Sequence, residues 1–184
     1  LTAAYERFLH DEWLPQTARG AALAAYIRDE AWWLDAYATF RVLHEREGGR
    51  LWLEWPDAFA RRDTDAIEHL CAESWRERLF YQYLQWTAST QWAAARQAAR
   101  EADVALFGDL PLMVDLHSAD VWANQESFQL DRSVGVPPDA FSATGQDWGM
   151  PAYDWDALQA TGFGWLHDRA RRGAQLFDGY RVDH

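Results

Sequence analysis

The sequence closes on LFDGYRVDH, a strand-like run in which Arg181 and Asp183 flank one apolar residue and His184 follows. Side chains alternate across a strand, so Arg181 and Asp183 are expected on the same side. A guanidinium beside a carboxylate favours the ionised form, the form that attacks an electrophilic carbon or steadies a developing positive charge. A further carboxylate, Asp109, stands at the matching place in an earlier apolar run, VALFGDLPLMVDL. Where parallel strands close into a barrel, their ends converge on one mouth and reactive groups collect there. Asp109, Arg181 and Asp183 are therefore expected around one opening. By spacing alone, an Arg–Asp pair at a strand end is more often a structural ion pair, so both meanings stand at this point.

The elements needed to hold these ends can be read around them. The run from Val104 reads as a buried strand, punctuated by Gly108 and Pro111. Residues 118–153 show little periodicity and read as a long loop. Trp122, Phe128, Phe141, Trp148 and Tyr153 give that loop too many anchors for disorder. From Asp156 a helix is expected, with Phe163, Leu166, Ala170, Gly173 and Phe177 spaced by three and four. LFDGYRVDH then returns to strand. Strand, loop, helix and strand make a βαβ unit, which builds parallel sheets or barrels.

Residues 1 to about 100 read as mostly helical. In AALAAYIRDEAWWLDAYATFRVLHEREGG the apolar stripe runs through Leu23, Ile27, Leu34 and Ala38, and Gly48 and Gly49 supply the stop. After a turn at Pro56, a second long helix is expected near Asp65, with Glu68 as its capping-box partner. It is expected to run on through YQYLQWTASTQW, with residues 91–102 as its continuation or a closely following helix.

Composition narrows the function classes. Hydrophobic residues make up 49% and charged residues 25%, a soluble globular balance. No apolar run approaches the roughly 20 residues of a membrane helix, and the opening LTAAYERFLHDEW resembles neither a secretory signal nor a natural start. A net charge of −12 with scattered cations argues against nucleic acid as a partner. It suits solubility or a cleft for neutral substrates and positive charge that develops during reaction. A single cysteine, Cys71, excludes an internal disulfide, reads as a small core residue, and fits a cytoplasmic setting. Twelve Trp, seven Tyr and nine Phe are a marked excess; most are expected in cores, though such rings also stack on sugars.

The motifs GDLPLMVDLHSADVWANQESFQLD, GVPPDAFSATGQDWGMPAYDW and LFDGYRVDH, in that order and spacing, resemble the amylomaltase family of 4-alpha-glucanotransferases, glycoside hydrolase family 77. AWWLDAYATFRVL and YLQWTASTQW fit as well, so the resemblance covers most of the chain. It implies an α/β fold: part of a (β/α)8 TIM barrel with a largely helical inserted subdomain. Residues 1–102 would form that subdomain with barrel helices, and residues 103–184 the third and fourth strands with a long substrate loop. Asp183 matches the nucleophile that forms a covalent glucosyl-enzyme, and Arg181 the arginine that holds it ionised. Asp109 matches an active-centre carboxylate, while Phe141, Gln146 and Trp148 fall in the loop that covers the glucan; His184 joins the substrate-binding set. Ala140 stands where many members have Tyr, and His117 where Asp is common. Asp115, His117 and Asp120 do not have the spacing of a metal loop, and no metal or other cofactor is implied.

The activity implied is transfer of α-1,4-glucan segments from a maltodextrin donor to glucose or an oligosaccharide acceptor, by retaining double displacement. That chemistry uses two carboxyl groups about 5–5.5 Å apart. The resemblance places the acid/base Glu on a later strand, so an internal fragment, inactive by itself, is expected. Two alternatives remain: a related α-glucan hydrolase, or a non-catalytic helical glucan-binding module.

Overall fold

The structure is a computed structural model and describes residues 1–183. It divides into two compact units, residues 1–91 and 92–184. The first is helical. Helix α1 (Thr2–Phe8) runs into a π-turn at Leu9–Trp13, and α2 (Ala18–Asp29) starts on Thr17, whose side chain accepts from the Gly20 N–H. Helix α3 (Ala31–Arg46) follows after a break at Glu30, so the single expected stripe is two helices. The stop is as expected: Gly48 and Gly49 take φ of 64° and 79°, a region that glycine enters without steric cost.

After the short α4 (Asp57–Ala60), helix α5 (Thr64–Glu73) is capped by Asp63, whose carboxylate accepts from the Ala66 N–H at 3.0 Å. Asp65 thus lies inside the first turn, and the expected Asp65–Glu68 box is not the cap. Ser74 interrupts the helix, and α6 (Trp75–Glu101) then runs unbroken for 27 residues. Residues 91–101 are its continuation. Tyr5, Phe8, Leu9, Leu23, Leu79 and Tyr83 form the core of this unit, and the Tyr5 hydroxyl donates to the Arg76 carbonyl at 2.7 Å. Much of the aromatic excess is explained here by packing. Cys71 is half-buried, with its sulfur 3.6 Å from the Thr39 hydroxyl.

In the second unit, β1 (Phe107–Pro111) and β4 (Gly179–Asp183) pair in parallel, as a βαβ unit requires. Strand β1 was expected to be buried. It is not: Phe107 is 77% exposed and Asp109 is exposed as well, because among the described residues β4 is the only strand beside it. The stretch 118–153 also departs from expectation. It holds α7 (Ala119–Ala123), then β2 (Phe128–Val136) and β3 (Gln146–Tyr153), which pair antiparallel as a hairpin. Register shifts after Gln129 and after Val134 break the two-residue period on which a strand reading depends. Pro151 and Gly149 mask the rest of the signal. Helix α8 (Trp155–Ala160) ends where Gly162 and Phe163 both take positive φ, and α9 (Gly164–Leu176) leads back to β4. Among the described residues no helix is long and apolar enough to cross a membrane.

Candidate active centre on the parallel strand pair

The β1–β4 register sets Asp109 opposite Arg181 and Pro111 opposite Asp183. Arg181 meets Asp109 fork to fork, with Nε 3.0 Å from Oδ1 and Nη2 3.0 Å from Oδ2. Two parallel charge-assisted bonds fix the guanidinium plane as well as its position. The pair is open to water, with side chains 66% and 54% exposed. An exposed pair of this kind contributes only about 0–1 kcal/mol to stability, so these two charges do not fasten the strands. Asp183 lies one apolar residue beyond Arg181 in β4, and His184 lies outside the described residues.

Glycines let aromatic rings close on the strands instead. A Cβ on Gly108 would stand 2.4 Å from the Phe177 ring, and one on Gly179 would stand 2.6 Å from the Phe107 ring. A ring from β1 is thus laid against the β4 backbone, and a ring from the end of α9 against the β1 backbone. Gly173 of α9 gives the Tyr180 ring the same close approach, at 3.2 Å.

The chain just past β1 is held by polar contacts that the sequence did not announce. Arg169 Nη2 donates to the Pro111 carbonyl at 2.6 Å and Nη1 to the Leu112 carbonyl at 3.3 Å. The Tyr153 hydroxyl also donates to the Leu112 carbonyl. Burial pushes the Tyr153 phenol above its ordinary value, with the Arg169 charge working the other way, so the hydroxyl remains a donor at neutral pH. Arg169 stacks 4.8 Å over Trp165, which meets the Phe128 ring edge-on at 5.3 Å. The only hint in the sequence was that Arg169 belongs to a short cluster of cations.

The hairpin carries the other expected residues. Trp148 donates from its indole N–H to the Gln146 side-chain oxygen at 3.1 Å, so these two are brought together on β3. Phe141 is not part of that contact; it is 95% exposed in the connection between β2 and β3. Its loop is ordered by Asp139, whose carboxylate accepts from the N–H groups of Phe141 and Ser142, both at 2.8 Å. Asp147 accepts from the Ser133 hydroxyl and from the Gly149 N–H, which hold its carboxyl below the usual range. His117 donates its backbone N–H to Asp115 at 2.8 Å. Among the described residues no three His, Cys, Asp or Glu side chains are grouped to hold a metal ion.

A parallel strand pair joined through helices, with a fork-bonded Asp–Arg pair across it, defines an α/β protein whose charged groups are presented on its strands. Comparison with known proteins makes this specific. The sequence profile of the 4-alpha-glucanotransferase family matches residues 1–184, and the chain belongs to that family. It is 40% identical over 168 residues to the 4-alpha-glucanotransferase of Synechocystis sp., covering 88% of this chain and 33% of that protein. It is 38% identical over 169 residues to the Thermus thermophilus enzyme of the same name, covering 89% and 34%. Among solved structures, the amylomaltase of Streptococcus agalactiae in complex with acarbose superposes with a TM-score of 0.88 at 29% identity, over 99% of this chain and 38% of that one. The chain therefore spans about a third of the length of the curated relatives it matches.

Proposed function

We propose that this chain carries the nucleophile-bearing part of a 4-alpha-glucanotransferase, within a (β/α)8 barrel of which β1 and β4 are neighbouring strands. The observation that carries the proposal is the fork-bonded pairing of Asp109 with Arg181, two positions before Asp183 on the same strand, in a chain that matches the family throughout. In this reading residues 103–184 are catalytic and residues 1–102 are chiefly a helical subdomain. The acarbose complex of the related amylomaltase supports an oligosaccharide ligand, here a maltodextrin donor with glucose or an oligosaccharide as acceptor. The single cysteine fits a reducing, cytoplasmic setting.

The steps follow from the charges. Asp183 attacks the anomeric carbon of the donor while the glycosidic C–O bond breaks, and a second carboxyl group protonates the departing oxygen. In this reading the acid/base glutamate lies on a later strand, as the resemblance implies. Arg181, bonded to Asp109 across the strands, favours the ionised form of Asp183. The acidic pair of Asp109 and Asp183 favours the positive charge that grows on the sugar. An acceptor hydroxyl, passing its proton to the second carboxyl group that had protonated the departing oxygen, then displaces Asp183, which restores the Asp183 carboxylate. Gln146, Trp148, Phe141 and His184 offer the amide, ring and imidazole surfaces that pyranose recognition uses.

In the intact protein, Asp183→Asn is expected to lower maltotriose disproportionation by at least about a thousandfold, since no carboxylate remains to form the intermediate. Undiminished release of glucose and longer dextrins by this variant would overturn the assignment. Product analysis of the wild type separates transfer, which yields longer chains, from hydrolysis, which does not.

A further inference from the structure

One face of α6 bears Trp92, Arg96 and Arg100 at successive spacings of four, and all three act on the chain that enters β4. The Trp92 indole N–H donates to the Leu176 carbonyl at 2.8 Å. Arg96 donates to the Gln175 carbonyl and, from Nη2, to the Phe177 carbonyl at 2.8 Å. Three consecutive carbonyls at the end of α9 are thereby satisfied by one neighbouring helix, with a cation where the helix dipole favours one. The same Arg96 reaches Asp178 Oδ1 through Nη2 at 2.7 Å and Nε at 3.3 Å, and Arg100 joins at 3.1 Å.

Asp178 turns this fastening toward β1. Its backbone N–H donates to the Leu106 carbonyl at 2.9 Å, and its Oδ2 accepts from the Leu106 N–H at 3.0 Å. One residue thus makes a two-bond rung just before Phe107 pairs with Gly179. Two positions further along that register, Asp109 faces Arg181.

We propose that Asp178, clamped by Arg96 and Arg100, is a positioning residue: it sets the β1–β4 register that brings Arg181 to Asp109 and presents Asp183. The inference rests on the transferase reading and adds to it a residue that touches neither substrate nor nucleophile. The Asp178 carboxyl is held well below its usual range, first by the Leu106 N–H and then by the two arginines. It stays ionised across any working pH, so the clamp is constant.

The test uses the intact protein with maltotriose. Asp178→Asn keeps the shape and removes the charge; Arg96→Gln removes the fork. Each is expected to lower kcat about ten- to hundredfold, the cost of a small misplacement of reacting groups, with KM nearly unchanged. Each should also raise the acid limb of the kcat/KM profile by about half a unit to one unit as the Arg181 environment loosens. The double variant should cost less than the two single losses multiplied, because both break one unit. Arg171→Gln, which removes a surface ion pair with Asp168 at 2.8 Å, serves as the unaffected control. If Asp178→Asn fails to fold, Arg100→Gln, which loses a single contact, gives the same readouts at smaller amplitude. Lower thermal stability with wild-type kcat and an unmoved acid limb would reduce the clamp to a fastener and overturn the proposal. A wild type without transfer, or a fully active Asp183→Asn, would instead defeat the transferase reading.

Discussion

Arg181 and Asp178 lie three positions apart at the start of one strand, yet their charges meet different surroundings. Arg181 and Asp109 are both more than half exposed, where water screens most of their attraction. Asp178 accepts three hydrogen bonds from two guanidinium groups and one from a backbone N–H, and it is 23% exposed. This separates a pair available for chemistry from a carboxylate committed to structure. The commitment has a pH signature. Because the folded-state value of Asp178 is depressed, its stabilising effect is fully present above the unfolded-state value of about 3.9 and is lost as pH falls through the lower folded value. Asp178→Asn lacks that term. Wild type is therefore expected to exceed the variant in stability by a constant margin from pH 8 to 5, and the margin should shrink on acidification below about pH 4. Urea unfolding midpoints across that range provide the measurement; a margin that grows on acidification would contradict the account.

At the scale of elements, the β2–β3 hairpin shows what sequence can and cannot disclose. Gly135 sits at its register shift, where an added Cβ would lie 1.9 Å from the Gln146 carbonyl oxygen. Backbone cannot yield as a side-chain tip would. Gly135→Ala must open the hairpin beside Gln146 and Trp148, at an expected cost of about 1–3 kcal/mol. In the proposed enzyme KM for maltodextrin should rise more than kcat falls, since the residues displaced would bind substrate; unchanged steady-state kinetics with a normal unfolding midpoint would count against this. The hairpin was illegible because its shifts, Gly149 and Pro151 erase strand periodicity, whereas the parallel pairing of β1 with β4 follows from two apolar runs joined by a crossover. The helix breaks at Glu30 and Ser74 carry neither glycine nor proline and left no mark on the apolar stripe. Residues 91–102 read only as a helical continuation, and the packed structure reveals what Trp92, Arg96 and Arg100 hold. The resemblance named the motif residues one by one as expectations, while the Asp109–Arg181 fork required coordinates.

For the molecule as a whole, the two units differ in how completely they cover their apolar groups. In residues 1–91, Leu23, Leu34 and Leu43 have no exposed surface, and Tyr5, Phe8 and Leu9 are nearly as enclosed. In residues 92–184, Val104 is 51% exposed, Phe107 77% and Val182 58%, along or beside a sheet of two parallel strands. Parallel strands are ordinarily covered on both faces, and exposed strand edges invite pairing with other chains. The polypeptide of 184 residues, prepared by itself, is therefore expected to show strong helical circular dichroism, to bind anilinonaphthalene sulfonate, and to associate as its concentration rises. It is also expected to release no glucose from maltotriose, because retaining transfer uses two carboxyl groups about 5–5.5 Å apart and the chain matches only about a third of its relatives' length. Covalent trapping is the sensitive arm of this experiment: a slow glucosyl donor with a good leaving group needs no acid catalyst, so labelling of Asp183 in the isolated chain would show that the strand pair alone prepares the nucleophile. Sustained disproportionation by the same preparation would be incompatible with a divided catalytic pair, since one carboxylate cannot attack the sugar and protonate the departing oxygen in the same step.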